Sequence, residues 1–233
     1  MPDGPLGGPS HPASDPASDP ASDNPSDSGD ATGRELPVGY PSDVEMDVHL
    51  RDGSLARFRP IRPADGDALV DFHDGLSPRS VYRRFFFTHP HLTRGEVERF
   101  TYVDYVERMA FAVFDGDRIV GVGRYERLPL GTEAEVAFVV ADDHQHLGIG
   151  TLLLDHLADV ARAHGVERFV AQTLSENWDM LGVFLSSGFP VETSTTAGTV
   201  TIRFPIEAGE DYRAARASRR FSAGATDPPS SSR

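Results

Sequence analysis

The chain of 233 residues contains no cysteine and no lysine, and all 22 of its basic residues are arginine. The missing thiols exclude disulfides, thiolate zinc sites, iron–sulfur clusters and a cysteine nucleophile, and they suit a reducing compartment. The missing lysines exclude a Walker-type phosphate loop, which needs Lys before Ser or Thr, and leave no lysine side chain to modify. Long apolar runs are absent as well. The pieces present, such as 109–114, fall far short of the roughly 18 to 20 residues of a membrane-spanning helix. The first thirty residues have neither a basic segment nor an apolar stretch, so no secretory signal is read there. A cytoplasmic chain without membrane attachment is expected.

Positive charge is scarce. The net charge is −14, and 39% apolar with 25% charged residues is the composition of a globular chain. Residues 1–40 hold seven acids and one Arg, whereas 208–233 hold five Arg and three acids, so the body between them is strongly acidic. Such a body repels a phosphate backbone, which disfavours nucleic acid as a partner, and it favours cationic substrates or basic protein surfaces at long range. An anionic ligand must be held by local geometry.

Residues 1–42 carry three tandem Pro-Ala-Ser-Asp units and hardly any large apolar side chains. This acidic Pro/Ser/Asp-rich tail is expected to be disordered, because it cannot bury enough surface to offset its ordering entropy. Residues 208–233 read as an Arg-containing flexible tail. Within it, 211–221 could form a short basic helix but is expected to fray in solvent.

Between the tails, over 43–207, apolar spacing switches between periods of two and 3.6. A hairpin is predicted over 44–50 and 55–61 around Asp52-Gly53. A helix follows Pro63-Ala64-Asp65, a second is capped by Ser77, and a third starts at Thr93 with Glu96 at capping-box spacing. Strands are read over 108–114, 118–128 and 133–140, and a long helix over 148–164. A strand over 169–173, a helix over 177–187 and a hairpin over 190–204 complete the domain. The fold class is α/β: one domain with a mixed central sheet flanked by helices.

The most informative stretch runs from Glu133 into Gly148-Ile149-Gly150-Thr151, where a strand leads through a loop to the start of the long helix. Glycines there let a ligand approach the backbone, and the first helical N–H groups are unpaired, a geometry that binds anions and pyrophosphate above all. The spacing Gly-x-Gly-x-x-Leu after antiparallel strands fits a Rossmann fingerprint poorly. The pairs His89/His91 and His144/His146 have no carboxylate at compelling ligand spacing, so no metal is expected. Trp178 and Phe85-Phe86-Phe87 read as core or cleft wall. Arg83 and Arg84 could meet a phosphate or a substrate loop, although helix-surface arginines usually face water.

Gln145-x-x-Gly148-x-Gly150 between that strand and helix, followed by Asn177 and Gly188-Phe189, resembles the GNAT superfamily of acyl-CoA-dependent N-acyltransferases. The resemblance spans 44–206. The segments 50–54 (LRDGS), 59–65 (RPIRPAD), 76–86 (LSPRSVYRRFF) and 99–111 (RFTYVDYVERMAF) are similar to Pat-type bacterial protein lysine acetyltransferases. The resemblance implies acetyl-CoA as co-substrate, no metal, and a protein with an exposed lysine as acceptor, with acyl-CoA synthetases as targets. It implies a pyrophosphate site over Gln145, His146, Leu147, Gly148, Ile149, Gly150 and Thr151. It assigns the backbone of Phe138, Val139 and Val140 to the pantetheine arm and the thioester carbonyl.

A lysine amine, with a pKa near 10.4, needs a base at neutral pH. Glu135, ten residues before Gln145, matches the acidic position of Pat-like enzymes, with Glu133 on the same strand face as a spare. Its neighbours 134–138 are mostly apolar, a setting that makes a carboxylate a stronger base. Asn177 would cap its helix, with or without a hydrogen bond to pantetheine. Where many superfamily members carry a Tyr that protonates the leaving thiolate, this chain has Phe184. Direct transfer in a ternary complex is the implied reaction. A small-molecule amine acetyltransferase and a non-catalytic acyl-CoA sensor stay open as alternatives.

Overall fold

The computed structural model describes residues 36–224. Most of the Pro-Ala-Ser-Asp tail, and 225–233, lie outside the described residues. The chain begins with a hairpin of β1 (Met46–His49) and β2 (Leu55–Pro60), followed by three short helices, α1 (Gly66–Asp74), α2 (Pro78–Phe85) and α3 (Arg94–Thr101). Three antiparallel strands come next: β3 (Arg108–Asp115), β4 (Arg118–Arg127) and β5 (Glu133–Val140). Then come α4 (Ile149–Ala163), β6 (Arg168–Leu174), α5 (Trp178–Leu185), β7 (Glu192–Thr196), β8 (Thr199–Pro205) and α6 (Glu210–Gly224). Up to β8 this is the order expected from the switching periods.

The eight strands form one sheet in the order β1-β2-β3-β4-β5-β6-β8-β7, antiparallel except where β5 meets β6. The expected caps are formed. The Ser77 hydroxyl accepts from the Ser80 amide at 3.2 Å, and Thr93 and Glu96 close a reciprocal box at 2.8 and 3.3 Å. Leu153, Leu154, Leu157 and Ala161 on α4 are fully buried against the sheet. Two glycines on β4 let that helix come close: a Cβ at Gly121 would lie 2.6 Å from Ile149, and one at Gly123 would lie 2.8 Å from Phe138 and 3.0 Å from Leu153. The start of α4 is thereby seated directly over β4 and β5.

Two boundaries differ from the sequence reading. Tyr40, placed in the disordered segment, meets Tyr105 edge-on at 5.5 Å and donates to Glu45 at 2.5 Å. The segment expected to fray at the other end is a docked helix. On α6, Tyr212 is 2% exposed and stacks on Phe189 with centroids 4.2 Å apart. Arg216 forms a two-pronged pair with Asp159 at 2.9 and 2.6 Å, and a single Arg219 nitrogen reaches both oxygens of Asp155 at 2.9 and 3.1 Å. Two arginines of what looked like a solvated charge run, Arg216 and Arg219, are therefore paired with acids on α4, Asp159 being shared with Arg162. Asp155 is itself buried, and leaving it unpaired would be costly.

Gly188 makes this docking possible. It sits at φ 86°, and a Cβ there would lie 2.7 Å from the Asp211 carbonyl oxygen and 2.8 Å from the Tyr212 Cα, both backbone atoms that cannot swing away. Gly188→Ala should therefore destabilise the chain by about 2–3 kcal/mol and lower Tm by about 5–10 °C in a thermal melt. An unchanged Tm would show that α6 contributes nothing to the folded state.

Candidate active site

β5 and β6 run parallel for only three residue pairs, Glu133–Arg168, Ala134–Phe169 and Glu135–Val170, and then part. Beyond them β5 keeps β4 as its partner and β6 keeps β8, so the inner edges face a gap. That gap opens into a cleft of about 270 Å³ walled by Val136 to Val140 on one side and Ala171 to Thr173 on the other. Strand edges that leave a sheet carry polar groups needing another partner.

The same cleft reaches the start of α4. Gly148 is the N-cap in a left-handed conformation, φ 90°, with no side-chain cap, and the first turn contains no acid. His146, also left-handed at φ 64°, turns the chain into this position. The free N–H groups and the positive end of the helix therefore point at the cleft, and Gly150 puts no side chain in the way. A Cβ at Gly150 would come 3.2 Å from Val183 on α5, a tight contact between α4 and α5 that glycine relieves. Arg51, from the β1–β2 turn, reaches across to this point. Its amide donates to the Leu147 carbonyl at 3.1 Å, and its guanidinium reaches the His146 carbonyl at 3.4 Å. This adds a cation to a helix start already suited to anions.

A second set of contacts fixes α2 to the loop between β5 and α4. Asp142 accepts from the Ser77 amide at 2.9 Å, the Ser77 hydroxyl at 2.8 Å and the Ser80 hydroxyl at 2.7 Å. Gln145 adds longer contacts, at 3.4 Å, to the Ser80 hydroxyl and the Val140 carbonyl. Burial works against ionisation of Asp142, but the hydrogen bonds outweigh it and hold its carboxyl below the usual range.

The cleft gathers Glu135 with Phe138, Val139, Val140, Gln145, His146, Gly148, Ile149, Gly150, Thr151 and Asn177. Leu147 is not on its wall: the side chain packs against the core, and only its carbonyl is used, by Arg51. Glu135 lies exposed at the cleft edge rather than in apolar surroundings, because Ala134 and Val136 turn their side chains to the opposite face. Glu133, on Glu135's face, is taken up by Arg168 at 3.1 Å. Asn177 caps α5 through its side-chain oxygen, which accepts from the Met180 amide at 3.4 Å, and its amide group donates to Thr173 at 3.2 Å. Phe184 is 1% exposed, wedged between Phe138 and Phe204 at 5.7 Å each.

Comparison with known proteins agrees with this geometry. The model of the Acetyltransferase (GNAT) family matches residues 78–189. An acetyltransferase of Pseudomonas aeruginosa is 31% identical over 144 residues, which are 60% of this chain and 77% of that one. The acetyltransferase Pat of Mycolicibacterium smegmatis is 33% identical over 136 residues; these cover 57% of this chain but only 40% of the relative. The crystal structure of the GNAT domain of S. lividans PAT superposes with a TM-score of 0.68 at 40% identity, covering 71% of this chain and 99% of that domain. The chain belongs to the GNAT acetyltransferase family.

Within this GNAT enzyme, several residues that line or brace the cleft escaped the sequence reading. Arg51 and Asp142 act across 95 and 65 residues of sequence, a separation that no local pattern encodes. Arg83, read as a solvent-facing residue or a ligand contact, pairs across the cleft with Asp179 at 3.1 Å. Arg84 lines the cleft with no ion pair among the described residues; burial depresses its pKa, and the nearby Glu135 charge opposes the shift. Trp178 is 75% exposed rather than core or cleft wall, because α5 buries the face carrying Leu181 and Phe184 instead.

The Asp142 contacts make a pH prediction. A carboxyl whose folded pKa lies below its unfolded value contributes stability that is present above the unfolded pKa, near 3.9, and is lost as pH falls through the folded one. Asp142→Asn should lower stability by about 1–3 kcal/mol at pH 7 and flatten the acid limb of the stability profile below about pH 4. Parallel acid limbs in the two proteins would contradict this.

Proposed function

We propose that this acetyltransferase moves the acetyl group of acetyl-CoA to the ε-amine of lysines on other proteins, by direct attack with donor and acceptor bound together. The observation that carries this reading is the meeting, in one cleft, of an uncapped helix start, a parted strand pair and an exposed carboxylate. The residues fit the co-substrate. The amides of Gly148 to Thr151, with Arg51 beside them, suit a diphosphate. The β5 edge at Phe138 to Val140 offers backbone groups to the pantetheine arm and the thioester carbonyl, where an amide donor stabilises developing negative charge. Bound there, acetyl-CoA supplies the activated acyl group.

Glu135 serves as the general base. At neutral pH well under about 1% of a free lysine amine is unprotonated, so a carboxylate that takes its proton is required. Because Glu135 stands at the exposed rim, an amine carried on a bulky surface can reach it. The net charge of −14 attracts basic surfaces around the target lysine. The resemblance of its N-terminal segments to Pat-type protein lysine acetyltransferases suggests acyl-CoA synthetases or other metabolic enzymes as targets. The leaving thiolate needs no tyrosine, since a thiol of pKa near 8.5 departs tolerably as its anion. Ser80, Thr151 and Thr173 are hydroxyls on the cleft wall. The cytoplasm, where acetyl-CoA and these targets occur, is the proposed setting.

Glu135→Gln should reduce kcat for acetyl transfer by roughly 10²–10⁴-fold, while the affinity for CoA, measured by calorimetry, stays within about twofold. Full activity in that variant would remove Glu135 from the mechanism. Phe184→Tyr should change the rate by about tenfold at most; a gain of several orders of magnitude would mean that the wild type lacks a needed acid. As the chain has no lysine, every acetyl-lysine signal in these assays belongs to the acceptor.

A further inference from the structure

On the face of β5 that carries Glu135 lies a second, smaller cavity. Ala137 and Val139 of β5 wall both spaces, and Arg84 lines both. The small cavity, about 40 Å³, is lined mainly by apolar side chains of α1, α3 and β4 such as Leu69, Phe72, Phe100 and Val122. It also contains three basic side chains and no acidic one: His73, Arg84 and Arg124. His73 is 4% exposed, and neither ring nitrogen has a hydrogen bond among the described residues; the nearest carboxylate, Asp74, is 3.6 Å away. Arg124 donates to the Phe100 carbonyl at 2.8 Å and lies over the Phe100 ring at 4.2 Å. Glu126, the acid whose charge favours that of Arg124, is already held by Arg99 at 2.9 and 2.8 Å.

Two half-buried guanidiniums line an apolar cavity whose own wall holds no acid: among the described residues, Arg84 feels only the charge of Glu135 in the larger cleft, and Arg124 only that of Glu126, which Arg99 already holds. This is unfavourable for the fold alone, and apolar residues of like volume would serve packing as well or better. Burial indeed pulls Arg124 down to about 9, with the like charge of Arg84 adding to the shift. A ligand that brings the negative charge resolves this arrangement. The room is for roughly three to four heavy atoms, judged by the 10–15 Å³ that a single water requires, which is the size of a carboxymethyl group. The cavity borders Val139, whose backbone is proposed to hold the thioester, and it lies against α1, α2 and α3. An acyl chain extended by two or three atoms from that point can fill it, whereas an acceptor side chain would have to bring its backbone along.

We infer that this cavity is a carboxylate subsite of the acyl pocket, through which the enzyme accepts thioesters of short dicarboxylic acids, malonyl-CoA being the size that fits. The inference rests on the reading that the larger cleft binds the acyl thioester. Its chemistry is that of acetyl transfer. The amine nitrogen forms a bond to the thioester carbonyl carbon, the carbon–sulfur bond breaks, and CoA leaves as its thiolate. The amine proton passes to Glu135, and the distal carboxylate stays intact between Arg84 and Arg124.

Isovaleryl-CoA matches malonyl-CoA in shape and lacks its charge. In the full chain, kcat/KM for malonyl over isovaleryl transfer should exceed about tenfold, and Arg84→Met and Arg124→Leu should each lower that ratio by about tenfold or more. A general loss of folding or activity would lower both donors equally and leave the ratio unchanged, which would overturn the inference. Dissociation constants of the two thioesters, measured by calorimetry without acceptor, should show the same preference without any turnover. Acetyl transfer with no malonyl preference in either measurement sinks the subsite and leaves the proposed function standing. Absence of all acyl transfer, with the binding preference intact, does the reverse. A preference for acceptors with Asp beside the target lysine, lost in the same variants, would move the carboxylate to the acceptor and overturn the acyl assignment.

Discussion

A parallel strand pair normally continues until one strand ends, because each residue added satisfies further backbone groups. Here β5 and β6 separate after Glu135 although both strands go on, and much of the rest follows from that separation. The free edge of β5 needs hydrogen-bonding partners, the gap creates the cleft, and the strand direction carries Glu135 to its rim. The separation is held open from both sides. α4 is drawn onto β4 by Gly121 and Gly123, while β6 is fixed by a seven-residue ladder to β8. Neither strand can close the gap without breaking contacts that the core depends on.

The helix start and the strand gap act as one device because short polar ties join them. Asp142 fastens α2 to the loop that leads from β5 into α4, and Arg51 fastens the first hairpin to the same loop. Neither tie is a surface ion pair of the kind that contributes little. One is a carboxylate with three donors, the other a backbone hydrogen bond reinforced by a guanidinium. On the opposite side, α6 packs on the Gly188 turn and pairs with Asp155 and Asp159 along α4.

Local patterning made most of the elements readable. Alternation over 133–140, the apolar stripe over 149–161 and the cap residues Ser77 and Thr93 needed only their neighbours to be interpreted. The glycine-bounded helix start was readable for the same reason, since Gly148 and Gly150 do their work where they stand. What could not be read depends on residues far apart in sequence. The matching of Arg216 and Arg219 to Asp159 and Asp155 turns an apparently solvated charge run into a docked helix. Leu147 fell inside the motif yet faces the core, since the loop turns at His146 and Gly148 and aims intervening side chains away from the cleft. The exposure of Glu135 follows from strand alternation, and the apolar character of its sequence neighbours says nothing about its own face.

The central claim is that the parted strands and the bare helix start together bind an acyl-CoA. A crystal structure of the chain with a non-hydrolysable acetyl-CoA analogue tests it most directly. The account predicts the diphosphate on the amides of Gly148 to Thr151 beside Arg51, the pantetheine along the β5 edge, and the acyl carbonyl within reach of the Glu135 carboxylate. A β5–β6 ladder closed across the gap, or an analogue bound elsewhere with Glu135 facing only solvent, would contradict it.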